Sequence, residues 1–385
     1  MKLYFDDEAF DGQLQRTVGK CDAGMANVGE CLYIASQITP GDRASWYAAW
    51  STFAAGLASQ ANRAAQGGHA VSAAGLRLRA AEYYRQAFFW HRDDLDGKDL
   101  RSAYLASVDA FRKALPDLPR PGRIVAGDTP GYLFTPPGAG PFPTILHIGG
   151  YDGTAEELYA SAYPALDRGW AFVALDGPGQ GSVLYERRVP QRPDWEHVVP
   201  GMFELVAGLP EVDAKRIVLV GRSFGGVLAP RGAAATPQLA ALIVDPGQYD
   251  MGAGLAARLG KLWPHIDDPA AKPQFDALLQ MPGMRTLLGP RMATHGVADP
   301  QAYFQDMRRY SCAGLAPDIT CPSLVTDNET DLVSTCQGQQ LFDALTSAKS
   351  FRRFTRAEGA EGHCEGMAQI VFWTAAFDWL ESTLR

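Results

Sequence analysis

Ser223 stands in Gly221-Arg-Ser-Phe-Gly-Gly226, a G-x-S-x-G arrangement placed directly after the apolar run Ile217 to Val220 and ahead of Val227-Leu-Ala229. Small residues two places before and after a serine permit a sharp strand-to-helix turn, because a Cβ there would strike neighbouring backbone. The hydroxyl then projects beyond the strand end, free to act as a nucleophile. The pattern alone is weak in a chain with 40 glycines, where a glycine-rich packing turn is the competing reading. Its position between a strand and a helix selects the nucleophile.

A serine hydroxyl attacks a carbonyl only when a base takes its proton, so a histidine oriented by a carboxylate is expected later in the chain. Asp327-Asn-Glu-Thr-Asp331 follows the apolar run Ser323 to Val325 as a polar loop. Asp331 is the preferred acid, Asp327 and Glu329 its competitors, and a solvated loop carboxylate the plain alternative. Glu358-Gly-Ala-Glu-Gly-His363-Cys364 follows the last strand-like run, Phe351 to Phe354, and His363 is the expected base among only seven histidines. Cys364 beside it reads as structural.

A tetrahedral oxyanion needs two backbone N–H donors. One is expected from Phe224, the other from Gly149-Gly-Tyr-Asp-Gly153 after the run Thr144 to Ile148: Tyr151 first, Gly150 second. His147, inside that apolar run, reads first as a core histidine and is carried as a candidate substrate contact.

The elements that must position these residues are a set of short apolar runs alternating with helical stretches from Arg123 onward: Gly131–Thr135, Thr144–Ile148, Ala171–Leu175, Arg216–Val220, Leu242–Val244, Ser323–Thr326 and Ser350–Phe354. Such alternation predicts right-handed crossovers and a mostly parallel, doubly wound sheet covered on both faces. Before it, to about residue 118, the chain reads as helices, with Trp46, Trp50, Phe53 and Leu57 at helical spacing and a second stretch from Ala74 to Trp90. Tyr83, Tyr84, Phe88, Phe89 and Trp90 are expected mainly in packing. Pro116-Asp-Leu-Pro-Arg-Pro-Gly122 breaks the helical pattern, so a helical N-terminal cap domain over 1–118 and a catalytic domain over 119–385 are expected. A long helical insertion over 251–317 is a candidate lid.

The 385 residues are 46% hydrophobic and 20% charged, an ordinary globular composition. No apolar run approaches the ~18 residues of a membrane helix, and the early acidic residues argue against a secretory signal; the protein reads as cytoplasmic. A net charge of −8 without a long basic run argues against nucleic acid or an anionic membrane as partner. Six cysteines without a CxxC pair fit reduced thiols. No metal or cofactor is called for, and the expected partner is a small, uncharged substrate.

In its wider motifs the chain resembles the α/β-hydrolases with a helical N-terminal domain, the family that includes 2,6-dihydroxypseudooxynicotine hydrolase and fungal pigment enzymes that shorten a heptaketide. The resemblance covers nearly the whole chain. It is carried by Gly68-His-Ala-Val-Ser-Ala73, Leu78-Arg-Ala80, Tyr83-Tyr-Arg85, Gly149-Gly-Tyr-Asp-Gly-Thr-Ala-Glu-Glu157, Asp176-Gly-Pro-Gly-Gln-Gly181, Arg192-Pro-Asp-Trp-Glu196 and the Ser223 motif. It implies a Ser223, Asp331, His363 triad, a pocket roofed partly by the N-terminal helices, and a homodimer. It also suggests Asp250, beside Tyr249 in Asp245-Pro-Gly-Gln-Tyr-Asp250, as a further acidic residue at the substrate. Some members cleave carbon–carbon bonds next to a ketone, so hydrolysis of a β-diketone, aryl ketone or polyketide-like molecule through an acyl-enzyme is expected. A carboxylesterase, lactonase or acyltransferase is the alternative, and a catalytically silent binding module the reading from outside enzymes.

Overall fold

A computed structural model describes residues 2–331, 333–334 and 337–384. Five helices come first: α1 (Glu8–Val18), α2 (Val28–Ala35), α3 (Arg43–Gln66), α4 (Ala70–Phe88) and α5 (Lys98–Ala114). Asp7, Asn27 and Asp42 cap the first three through side-chain oxygens that accept otherwise orphaned N–H groups. Trp46, Trp50, Tyr83 and Phe88 are all buried, and their rings meet one another or neighbouring rings, such as Trp50 on Tyr83 at 5.3 Å. These aromatics form the helical core, as their spacing predicts.

Eight strands follow: β1 (Gly122–Val125), β2 (Gly131–Phe134), β3 (Phe142–Ile148), β4 (Ala171–Leu175), β5 (Val212–Arg222), β6 (Ala241–Asp245), β7 (Ser323–Asn328) and β8 (Lys349–Phe354). They form one sheet in the order β1-β2-β4-β3-β5-β6-β7-β8. β2 runs antiparallel to both β1 and β4 at one edge, and β3 to β8 pair with one another in parallel. The sheet is thus mostly parallel, as expected.

Side-chain alternation divides the core between the two faces. Ile145, Phe172, Val218 and Val220 join the N-terminal helices and the terminal helix Gln369–Thr383, whereas Leu146, Val173 and Leu219 join the helices Val199–Ala207 and Gly225–Ala234 and the insertion after β6. His147 shares the face of Ile145 and lies fully buried between Phe172 and Trp373. The insertion contains the helices Met251–Leu259, Lys272–Ala277, Met284–His295 and Pro300–Met307. No helix among the described residues is long and apolar enough to cross a membrane. Cys21, Cys31, Cys312, Cys321 and Cys364 carry free thiols, and Cys336 lies outside the described residues.

The helical region is tied to the loop after β3 by a buried ionic cluster. Lys20 Nζ reaches Glu82 at 2.6 Å and Glu157 at 2.5 Å, Arg16 grips Glu157 with two hydrogen bonds of 2.7 Å, Arg85 pairs with Glu82, and Arg92 pairs with Asp152. Burial, reinforced by the charge of Arg85, pulls Lys20 down to about 8. Removing one partner from a buried pair leaves the other charge uncompensated, at a typical cost of about 3–5 kcal/mol. Glu157→Gln is therefore expected to lower unfolding stability by about that much in chemical denaturation; a loss under about 1 kcal/mol would show that the cluster does not tie the helices to the sheet.

Candidate active site

Strand β5 delivers Ser223 into a turn that its neighbours force. Ser223 has φ +59°, a left-handed conformation that a non-glycine residue holds only when its surroundings over-determine it. Its N–H donates to Asp245 O at 2.7 Å, and Gly226 N donates back to Ser223 O at 2.9 Å. A Cβ on Gly221 would lie 2.3 Å from Gly225 O, and one on Gly226 would lie 2.0 Å from Pro246 O. Steric exclusion explains the glycine two places before the serine; two places after it, at Gly225, a Cβ would press on Gly149 O at 3.1 Å, and the second outright exclusion falls on Gly226, one place beyond the motif.

His363 follows β8, in a segment where Gly362, Cys364, Glu365 and Gly366 all have positive φ. Its Nε2 lies 2.8 Å from Ser223 Oγ, and its Nδ1 lies 2.9 Å from Asp331 Oδ2. Asp331 is oriented in turn by the amides of Val333 and Ser334, which donate to Oδ1 at 2.8 and 3.1 Å. The competing carboxylates are engaged elsewhere: Asp327 accepts from its neighbour's amide at Asn328, and Glu329 from Arg356 N. The structure thus brings Ser223, His363 and Asp331 together and leaves Asp327 and Glu329 out.

The electrostatics suit an imidazole that gains and loses a proton. Burial opposes ionisation of Asp331, but its hydrogen bond to His363 and the histidine's charge hold it at about 2. Burial likewise opposes the imidazolium, while Cys364 and Asp331 override it and place His363 well above its ordinary 6.5. Asp331 supplies a fixed negative charge behind the ring.

Arg222, the residue before the nucleophile, joins the two halves of the site. It donates to Asp245 Oδ2 at 2.6 Å, Glu365 Oε2 at 2.7 Å and Cys364 O at 3.0 Å. Asn328 and Thr326 on β7 complete the cluster through Glu365 and Asp245. Burial, with the Asp245 charge next, pushes the Glu365 carboxyl well above its usual range, and Arg222 offsets this only in part. One guanidinium therefore pins the histidine segment to the serine turn. The charged residue inside the G-x-S-x-G motif was the available sequence signal for it.

The glycine-rich loop after β3, expected to supply an oxyanion donor, lies directly against Ser223. A Cβ on Gly150 would lie 2.7 Å from Ser223 Cβ, 2.8 Å from Phe224 N and 2.9 Å from Ser223 Oγ, so only glycine fits. Gln180, from the Asp176–Gly181 motif, donates to Gly149 O at 2.6 Å and fixes the loop from below. The amides of Tyr151 and Phe224 have no hydrogen-bond acceptor among the described residues, and their rings stack at 4.1 Å and 24°.

The remaining candidates are not delivered to this centre. His147 is buried in the core on the face shared with Trp373; both ring nitrogens lack a partner among the described residues, and burial with the Arg222 charge holds it near 3. Its ring packs against Phe172 and Trp373. Asp250 caps the helix Met251–Leu259 by accepting from Ala253 N at 2.8 Å, and its other oxygen accepts from Ser311 at 3.0 Å. Its carboxylate is occupied by the insertion it begins. Tyr249 packs half-buried against the apolar layer, with its amide on Gln337.

The doubly wound sheet, the strained serine at the end of β5 and the histidine after the last strand define an α/β-hydrolase. A model of the alpha/beta hydrolase family matches residues 137–366, and the chain belongs to that family; it is an enzyme of the hydrolase class. It is 31% identical to 20-hydroxy-prefusarin hydrolase FUS2 of Gibberella moniliformis, over 100% of this chain and 98% of that one. It is 29% identical to hydrolase acrC of Aspergillus aculeatus, over 99% and 98%. Among solved structures, 2,6-dihydroxy-pseudo-oxynicotine hydrolase superposes with a TM-score of 0.73 over 95% of each chain at 22% identity, a likeness of fold.

The geometry separates Asp331 from its neighbours by experiment. Asp331→Asn is expected to cut kcat/KM by roughly three to four orders of magnitude, whereas Asp327→Asn stays close to the parent. The base must be neutral to accept a proton, so activity falls as pH drops through the His363 pKa. Cys364 and then Asp331 raise that pKa, which places the acid limb above pH 6.5, and loss of the Asp331 share moves it downward in Asp331→Asn. An acid limb that stays in place in this variant would assign it to another group.

Proposed function

We propose that the protein is a serine hydrolase that works through an acyl-enzyme on Ser223. The observation that carries this reading is the continuous hydrogen-bonded run from Asp331 through both nitrogens of His363 to Ser223 Oγ, with both contacts under 3 Å. In this mechanism His363 Nε2 takes the serine proton as Oγ attacks the carbonyl carbon. Asp331 steadies the imidazolium so formed, and the amides of Phe224 and Tyr151 receive the oxyanion.

The intermediate then collapses with loss of its leaving group, which takes the proton from His363. For an ester the group leaves as an alcohol. For a β-diketone or aryl ketone the carbon–carbon bond breaks, and an enolate or electron-rich ring carbon is protonated. Water, deprotonated by His363, finally attacks the acyl-enzyme, releases a carboxylic acid and restores Ser223. The same residues serve both reactions, so the bond cleaved is decided by how the substrate is seated.

We favour a ketone or polyketide-like substrate. That preference rests on the family resemblance in the Gly149–Glu157 and Asp176–Gly181 motifs, together with full-length similarity to an enzyme named for 20-hydroxy-prefusarin. The aromatics of α3 and α4 lend it no support, because Trp46, Trp50, Tyr83 and Phe88 are buried in the helical core and Tyr47, Phe53 and Tyr84 are packed against it. The test is a product time course by mass spectrometry on an aryl β-diketone and the matching aryl ester, with Ser223→Ala as control. Serine-dependent cleavage of the diketone at a rate equal to or above the ester is expected; cleavage of the ester alone would move the assignment to an esterase, lactonase or acyltransferase.

A further inference from the structure

The reaction described above uses none of the titratable residues in the insertion after β6, yet one group of them is joined to the oxyanion loop. His295 ends the helix Met284–His295 and is 5% exposed. Its Nδ1 lies 2.6 Å from Asp306 Oδ2 on the helix Pro300–Met307, and its Nε2 lies 2.6 Å from Tyr151 Oη. Asp306, a carboxylate, accepts the Nδ1 proton, which leaves the Nε2 lone pair as an acceptor for the phenol hydrogen; Met307 Sδ, 2.8 Å from the same hydroxyl, is the weaker competing acceptor. Burial lowers His295 below its ordinary value despite Asp306, and burial raises the Tyr151 phenol well above 10. Both groups are therefore neutral, and the run Asp306, His295, Tyr151 is a set of directed hydrogen bonds.

The run ends on a residue that matters. Tyr151 is the residue whose amide faces the oxyanion in the reading above, and its ring stacks on Phe224, the other donor. Arg291 of the same insertion lies 5.7 Å from the Tyr151 ring centroid, and Tyr303 and Tyr310 pack edge-on to His295. Ring and amide share one Cα, so a backbone rotation that turned the Tyr151 amide away would also pull its hydroxyl off His295. Apolar residues could fill this volume without the desolvation cost of a buried carboxylate and imidazole. Directed bonds are needed where an orientation has to be fixed.

We propose that Asp306 and His295 are a positioning pair on the insertion that holds Tyr151 by its hydroxyl and so sets the oxyanion hole. The proposal rests on the serine hydrolase reading. It makes the insertion part of the catalytic apparatus as well as a cover over it: a movement that lifts the helices Met284–His295 and Pro300–Met307 withdraws the support of one oxyanion donor.

The experiment uses the full chain with 4-nitrophenyl acetate as substrate and an aryl trifluoromethyl ketone as inhibitor, since the ketone's serine adduct carries the oxyanion. His295→Ala is expected to lower kcat by about 10- to 100-fold, less than outright removal of a donor, with KM nearly unchanged and inhibitor affinity weakened by the same factor as kcat. Tyr151→Phe, which keeps the ring stack and removes only the hydroxyl, should lose as much. The double variant should be no worse than either single one, because both cut the same bond. His295→Gln, whose amide can donate to Asp306 and accept from the phenol, should recover much of the loss. A fall in Tm with kcat and inhibitor affinity intact, or fully additive losses in the double variant, would overturn the positioning role. Tyr151→Phe decides the matter alone if His295→Ala does not fold. Turnover surviving Ser223→Ala would instead overturn the serine reading and this proposal with it.

Discussion

The hydrogen bond between Ser223 Oγ and His363 Nε2, 2.8 Å long, joins segments 140 residues apart, and the remaining architecture is arranged to keep it in register. A proton can pass along such a bond only if both atoms are held to within a fraction of an ångström. The serine end is fixed by steric exclusion in a turn that tolerates no Cβ at Gly221 or Gly226. The histidine end is a run of left-handed residues with little intrinsic stiffness, and it gains rigidity from the Arg222 cluster. A buried guanidinium shared between Asp245 and Glu365 is costly to desolvate, and the alignment of the two loops is its evident use.

In the proposed mechanism the second oxyanion donor is Tyr151, and its loop is held from several directions. Gln180 holds the carbonyl of Gly149, Arg92 and Arg16 hold Asp152 and Glu157 from the helical side, and His295 holds the Tyr151 hydroxyl from the insertion. Three regions far apart in sequence therefore converge on nine residues after β3. This explains why the N-terminal helices and the insertion belong to one working unit with the sheet: each contributes charge or hydrogen bonds to a loop that cannot orient its own amides.

Much of this was legible in the sequence wherever local chemistry decides. The runs that form β2 to β7 are apolar because they are buried along most of their length, whereas β8, at the far edge, is mostly half-buried or exposed and carries Arg352 and Arg353; Ser223, Asp331 and His363 each follow one of these strands. β1 escaped notice because it is a short, half-exposed edge strand directly after three prolines. Asp250 has a local role that the sequence also offers, since a carboxylate in front of a helical stretch is an N-cap. His147 lies on the core face, as its spacing of two from Ile145 predicts. Gln180 acts on Gly149 across 31 residues of chain, His295 on Tyr151 across 144, and Arg222 on Asp245 and Glu365 across 23 and 143; a charged residue inside the serine motif flags Arg222, but no local pattern names the partner.

The most direct test of the central claim is to catch the acyl group on its residue. Rapid mixing with an activated aryl ester, acid quench and tryptic mass spectrometry should give the Ser223–Arg231 peptide shifted by the mass of the acyl group, with the adduct decaying at the rate of turnover. An adduct on any other residue, or turnover at full rate with no adduct during the first cycle, would contradict a mechanism built on Ser223 and His363.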